Sequence, residues 1–321
     1  MQYRQLGRSG MRVSTLCLGT MNFGPRTSEA AAFEILNNAT NAGINFIDTA
    51  DQYGGHLGVG TTESLLGRWL KEDGSRRHKL VLATKVHEPM SEDVNDRGLS
   101  ARHIRNACEA SLRRLGIDHI DLYQMHHFDR SVPVDEIWLA MDRLIADGKI
   151  TYVGSSNFPG WAIAQANERT MARGRPGLVS EQSLYNLVER RAELEVLPAC
   201  REYGLGVIPW SPLAGGLLAE PSSAGEGRRQ SEDALAERAR RADQLSRFES
   251  LCAQLGETMS AVALAWLLHQ EPVTATIIGP ADPDQLSSVL CVPGISLSRE
   301  ALDAIDDIFP PCGEAPEAYA W

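Results

Sequence analysis

Four ionisable side chains stand where apolar, β-branched segments end. Asp48 lies near the end of INFIDTA, Lys85 near the end of KLVLATKV and His126 directly after DLYQM, while Tyr53 follows shortly after Asp48. An aspartate and a lysine in such places are costly to bury unless they pair, so an Asp48–Lys85 ion pair is expected. A tyrosine hydroxyl beside a lysine ammonium has its ionised form favoured, which suits Tyr53 to protonate a developing alkoxide while a neutral His126 holds the same oxygen. That set fits carbonyl reduction, in which hydride reaches the carbonyl carbon as the oxygen is stabilised and protonated.

Side chains carry no hydride, so a nicotinamide cofactor is implied. No GxGxxG opens a helix after a strand; the nearest runs, Gly58 to Glu63 and Gly204 to Pro209, lack the pattern. A dinucleotide would then be held by loops. Suitable residues end the later strands: Ser155, Ser156 and Asn157, then Gln182, then Trp210, Ser211, Pro212 and Leu213. Amides pair with a carboxamide and an indole face stacks on a nicotinamide ring. A metal-dependent hydrolase built on Asp48, Lys85, His126 and His127 is set aside, because adjacent strand residues project to opposite sides and the two histidines could not share one mouth. No metal is expected.

These groups need elements to bring them together. Short apolar segments begin near residues 16, 44, 79, 119, 150, 178, 205 and 274, each with room for a helix before the next. This is the repeat of parallel βαβ units. Ser100 is placed to cap a helix whose Ile104, Ala107, Cys108, Leu112 and Leu115 share one face and which Gly116 stops. A second helix is expected over Val134–Ala146 after Pro133, ended by Gly148. Without a composition break between halves, the repeat predicts an α/β fold, a single (β/α)8 TIM barrel over residues 1–321, with strand ends converging on one mouth. The amphiphilic stretch Gln2 to Val13 reads as a β-hairpin closing the barrel floor. Residues 213–242, rich in small and charged residues from Pro221 onward, read as a mobile loop over the cofactor and substrate face.

At 321 residues, 43% hydrophobic and 23% charged, the chain can bury a large core. Its 31 basic and 42 acidic residues give a net charge of −11, which disfavours nucleic acid and anionic membrane surfaces as partners. No apolar run reaches membrane-spanning length and the N-terminus has no secretory pattern, so a cytoplasmic protein is expected. Cys17, Cys108, Cys200, Cys252, Cys291 and Cys312 form no CxxC pair and read as reduced thiols.

GTMNFG, FIDTADQYG, TESLLGRWL, LATKV, DLYQMHH, VGSSNF, SEQSLYN and IPWSPLAGGLL, taken in order, resemble the aldo-keto reductase superfamily, in wording closest to its bacterial aryl-alcohol-dehydrogenase and potassium-channel-β-like branch. The resemblance implies a catalytic tetrad of Tyr53 as general acid, Lys85 and Asp48 tuning it, and His126 orienting the carbonyl. It implies NADPH, with NADH possible, held in extended form. Gly19, Thr20 and Met21 would line the cofactor; Ser156, Asn157 and Gln182 would hold its amide; Trp210 would stack on the ring; Ser211, Leu213, Gly215 and Leu217 would follow the pyrophosphate.

The last loop departs from that pattern. Gly279, Pro280, Ala281, Asp282, Asp284 and Gln285 supply no cation for a 2′-phosphate, and Val289 stands where relatives often have asparagine. Gly279 and Gln285 are still expected at the cofactor, with Arg228 and Arg229 as substitute cations, and the preference for NADPH over NADH is expected to be weak or reversed. The resemblance implies a small carbonyl compound as substrate, and aromatic or short aliphatic aldehydes, keto-sugars and a nucleotide-linked deoxysugar ketone all fit. Phe23, Trp161 and residues 213–242 are its expected walls. A cofactor-sensing regulatory subunit is the alternative. Trp266, Trp321 and the last helix, Leu297 to Phe309, could cover the core or a neighbour; a monomer is preferred over a homo-oligomer.

Overall fold

In a computed structural model of the chain, which describes residues 1–220 and 232–320, every one of the eight apolar segments forms a strand. A hairpin of β1 (Tyr3–Gln5) and β2 (Arg12–Ser14) comes first. It is followed by β3 (Leu16–Gly19), β4 (Phe46–Asp48), β5 (Val81–Val86), β6 (Ile120–Met125), β7 (Ile150–Ser156), β8 (Leu178–Gln182), β9 (Gly206–Val207) and β10 (Thr276–Ile278). These eight run parallel in the order β10-β3-β4-β5-β6-β7-β8-β9. The seam closes through Val207 N–H to Pro272 O at 3.0 Å, Thr274 N–H to Val207 O at 2.9 Å and Ile277 N–H to Pro209 O at 3.1 Å. The result is the expected (β/α)8 barrel.

Helices α1 (Glu29–Asn41), α2 (Thr61–Glu72), α3 (Ala101–Leu115), α4 (Val134–Ala146), α5 (Gly160–Met171) and α6 (Ala192–Tyr203) fill the crossovers from β3 to β9. Ser100 Oγ accepts the His103 N–H at 3.2 Å to cap α3, the predicted apolar face is buried, and Gly116 ends the helix at φ +66°. Helix α4 has the predicted bounds, with Pro133 at the capping position rather than in the first turn. The long gap before β10 holds α7 (Glu232–Arg240), α8 (Ala242–Leu255) and α9 (Met259–His269); α10 (Pro283–Val289), α11 (Arg299–Ile308) and α12 (Glu317–Ala320) follow. Trp266 belongs to the core, tilted against Tyr185 with ring centroids 5.3 Å apart, and α11 buries Ala301, Ile305 and Ile308. Trp321 lies outside the described residues. Among those described, no single helix is long and apolar enough to cross a membrane.

The segment 213–242 departs from the expected loop in the parts that are described. Leu217, Leu218 and Ala219 are buried, and α7 forms because Ala, Glu and Arg favour helix and Arg241 Nε pairs with Glu237 Oε1 one turn back at 2.5 Å. Arg238 ties α7 down by donating to the carbonyls of Leu217 at 3.1 Å and Ala219 at 3.3 Å. Residues 221–231, with Arg228 and Arg229 among them, lie outside the described residues.

The hairpin closes the floor as predicted. Leu6 and Val13 join Cys17, Phe46, Ala83, Leu122, Val179, Ile208 and Ala275 in an apolar cluster inside the barrel. The hairpin tip is pressed so closely to the strands that a Cβ on Gly7, at φ +52°, would stand 2.3 Å from Val179 O and 2.6 Å from Gly206 N. Substitution there meets immovable backbone as well as an unfavourable conformation. Gly7→Ala should therefore cost about 2 kcal/mol or more and lower the thermal midpoint by several degrees, whereas Gly10→Ala, with nothing within 4 Å of its new methyl, should stay within about 0.5 kcal/mol of the parent. Thermal unfolding of the two variants side by side checks this.

Candidate active site

At the end of the barrel opposite the hairpin, four strands meet around one carboxylate. Asp48, the last residue of β4, accepts Lys85 Nζ on Oδ2 at 2.5 Å and the Nε2 groups of Gln124 and Gln182 on Oδ1, both at 2.9 Å. The Lys85 ammonium also donates to Thr49 O at 2.9 Å and to Tyr53 Oη at 3.1 Å, so its three protons have three acceptors. Lys85 is wholly buried. Burial acts to discharge it, but Asp48 and Tyr53 outweigh that and its pKa is raised, so the group stays an ammonium.

Tyr53 departs from expectation in one respect. Burial pushes its pKa up and Asp48 adds to this, so that the opposing pull of Lys85 is outweighed and the net direction is upward. The phenol is therefore held in its protonated form. His126 meets the Tyr53 ring edge-on, with centroids 6.0 Å apart. Burial, and then the Lys85 charge, pull its pKa down to about 2, so the imidazole is neutral as expected.

The later strands add a second layer. Ser156 Oγ donates to Gln182 O at 2.8 Å. Asn157, in left-handed backbone at φ +59°, donates from Nδ2 to His126 O at 3.1 Å and accepts Trp210 Nε1–H on Oδ1 at 3.0 Å. Gln182, expected to serve a ligand amide, gives its Nε2 protons to Asp48 and, at 3.2 Å, to Gln124 Oε1. Beneath them the buried Glu181 accepts Ser155 Oγ at 2.5 Å, Ser183 Oγ at 2.7 Å and Phe158 N–H at 3.1 Å. Burial raises its pKa to about 7 against the pull of those bonds. Gln124 and Glu181 were missed from sequence, although a polar residue inside DLYQM and LVSEQ is the same signal that Lys85 gives.

After β9 the chain turns sharply, with positive φ at Ser211 (53°), Ala214 (48°), Gly215 (68°) and Gly216 (97°). Such turns point successive N–H groups to one side and form anion-binding concavities. Leu213 lies inside this turn and Leu217 just after it; within it Ala214 N–H donates to Ser211 O at 2.9 Å and Gly216 N–H to Leu213 O at 2.8 Å, and Trp210 is half-buried at its start. On the other side of the mouth Gly19 ends β3, Thr20 Oγ1 donates to Asp48 O at 3.0 Å, and Met21 is exposed. In the last loop, Asn22 Nδ2 donates to Gly279 O at 2.9 Å. Gln285 is engaged locally: its Oε1 accepts Ala281 N–H at 3.0 Å and its Nε2 donates at 2.6 Å to Asp282, which caps α10.

Two expectations are corrected. Strand β6 stops at Met125, so strand alternation no longer governs His126 and His127; their rings stack with centroids 4.9 Å apart and an 11° interplanar angle, both at the mouth. Phe23 is no pocket wall: it is completely buried in the core, and its carbonyl accepts Thr62 Oγ1 at 3.0 Å. Trp161 remains half exposed, edge-on to Phe128 at 5.1 Å.

The sequence profile of the aldo/keto reductase family matches residues 15–309. The chain is 51% identical to an uncharacterized oxidoreductase, YrpG, of Bacillus subtilis (strain 168), over 100% of both chains. It is 31% identical to the versiconal hemiacetal acetate reductase of Aspergillus parasiticus, over 97% of this chain and 98% of the other. It is 32% identical to a probable voltage-gated potassium channel subunit beta of Arabidopsis thaliana, over 99% of this chain and 100% of the other.

Because Asp48 and Lys85 are buried together, removing one strands the other. Lys85→Met should destabilise the protein by about 3–5 kcal/mol, and adding Asp48→Asn should recover part of the loss. Urea unfolding at neutral pH checks this; a double variant no more stable than Lys85→Met would contradict it.

Proposed function

The chain belongs to the aldo/keto reductase family, and from that premise we propose that it reduces an aldehyde or ketone to the alcohol, with Tyr53 giving the proton and a nicotinamide cofactor giving the hydride. The observation that carries this reading is the bond from the Lys85 ammonium to the Tyr53 hydroxyl, with Asp48 holding the ammonium from the far side.

A carbonyl oxygen placed against Tyr53 Oη and the neutral His126 ring gains negative charge as its carbon is reduced. The Tyr53 proton moves to that oxygen, and Lys85, already bonded to Oη, stabilises the phenolate left behind. His126, kept neutral, orients the oxygen without contributing a competing acid.

The mouth suits a dinucleotide. The left-handed turn over Ser211, Ala214, Gly215 and Gly216, with Leu213 inside it and Leu217 just after it, would receive a pyrophosphate on the N–H groups of Ser211, Leu213 and Gly215, since those of Ala214 and Gly216 are taken up by Ser211 O and Leu213 O. Trp210 presents a ring face, Ser156, Asn157 and Gln182 are the amide partners, and Gly19, Thr20 and Met21 face them across the mouth. When bound, the cofactor supplies hydride. Gly279 and Gln285 stand at the adenosine end, where Asp282 and Asp284 bring negative charge, so NADPH has at most a weak advantage over NADH. Met21, Leu57 and Val59, on the connections after β3 and β4, and Trp161, in the first turn of α5 after β7, are exposed apolar residues at the catalytic face. A carbonyl carried on an apolar or aromatic body fits this rim better than a keto-sugar.

Oxidation of NADPH and of NADH by the purified protein, against aromatic, aliphatic and sugar carbonyls, tests the proposal. Turnover is expected with aromatic or apolar carbonyls, and Tyr53→Phe should lower it by about 10²- to 10⁴-fold with cofactor binding kept. Because the Tyr53 proton is lost only above the ordinary tyrosine pKa of about 10, the reduction rate should hold through neutral pH and fall only beyond that value. Undiminished turnover in Tyr53→Phe would overturn the proton-donor role, a strong NADPH preference would overturn the cofactor reading, and cofactor binding without any turnover would favour a sensing role.

A further inference from the structure

Beside His126 lies a cluster that shares this residue with the proposed reaction and adds two, Glu88 and His127, that the reaction does not use. Glu88, just beyond β5, and His126 and His127, just beyond β6, each present one donor atom, and the three atoms lie within 4.8 Å of one another. His127 Nε2 and Glu88 Oε1 are 3.0 Å apart. Two imidazoles and one carboxylate make a donor set that zinc sites use with a position left open, in which donor atoms about 2.0–2.2 Å from the ion stand roughly 3.3 Å from each other. The closer pair is already near that separation. The wider gaps need side-chain movements of little more than an ångström, and Glu88 and His127 are only partly buried and can make them.

Two further observations point to a ligand. The Nδ1 atoms of His126 and His87 are buried without a hydrogen-bond partner among the described residues, and His126 as a whole is nine-tenths buried. His87 stands edge-on to His127 with centroids 5.3 Å apart, and its Nδ1 lies 3.6 Å from Glu88 Oε1. Hard cations such as Ca²⁺ and Mg²⁺ prefer oxygen shells, so imidazole donors select a transition metal. The Lys85 ammonium acts on His126 with a positive charge that would oppose a cation, and Asp48 balances it.

We propose that Glu88, His126 and His127 bind a divalent transition-metal ion of the Zn²⁺ type at the mouth, and that its binding shuts off carbonyl reduction by taking His126 away from the substrate oxygen. The inhibitory half rests on the reductase reading above; the binding half does not.

The test uses the full-length protein, thiol- and phosphate-free buffer, and Zn²⁺ and Co²⁺ as probes. Zn²⁺ should inhibit turnover reversibly, with EDTA restoring it. His127→Ala and Glu88→Gln, with near-parental turnover in metal-free buffer, should each raise the half-inhibiting Zn²⁺ concentration at least about tenfold. Co²⁺ should give the visible absorption of a nitrogen- and oxygen-ligated ion with Tyr53→Phe, whose turnover is crippled, and lose it with His127→Ala. That absorption separates failure of the metal site from failure of the reductase reading. Equal inhibition of parent, His127→Ala and Glu88→Gln would overturn the proposal. So would inhibition abolished by Cys291→Ser, which would place the metal on that exposed thiol.

Discussion

The mouth of this barrel is organised by one buried positive charge. Lys85 has no water to solvate it, so three acceptors must be held in place around it: a carboxylate on β4, the Thr49 carbonyl and the Tyr53 hydroxyl. Asp48 in turn needs donors for its other oxygen and takes them from β6 and β8. Satisfying one ammonium thus fixes the relative positions of strands on both sides of the barrel. Register matters equally: Asp48 pairs with Ala83 and Lys85 with Gln124, and a slip of one residue would turn Lys85 away from Asp48 and toward the surrounding helices.

The barrel divides its labour along its axis. At the hairpin end its interior is apolar, from Leu6 and Phe46 to Ile208, and contributes packing. At the other end Asp48, Lys85, Gln124 and Gln182 form a polar layer in which each side chain is bonded to another. The low dielectric that makes that layer costly to leave unpaired also holds Tyr53 protonated and His126 neutral. Stability and chemistry therefore draw on opposite ends of the same eight strands.

Much of this was legible in the sequence because period and punctuation agreed. Ser100, Pro133, Gly116 and Gly148 marked helix ends, and ionisable residues ending apolar segments marked the mouth. What escaped depended on quantities that local sequence does not encode. The direction of the Tyr53 shift is set by burial rather than by its lysine neighbour. The stacking of His126 on His127 follows from where β6 stops, one residue before alternation would have parted them. Helix α9, buried on every side, offers no polar face from which its orientation could be read. Phe23 sat in a motif that suggested a pocket, yet its ring turns inward to the core.

The plugged floor makes the barrel a cul-de-sac. With Leu6 and Gly7 wedged against Val179 and Gly206, nothing reaches Tyr53 from below, and arrivals and departures use one doorway. In such a vessel traffic is ordered by depth rather than by affinity: whatever lies deepest must be the first in and the last out.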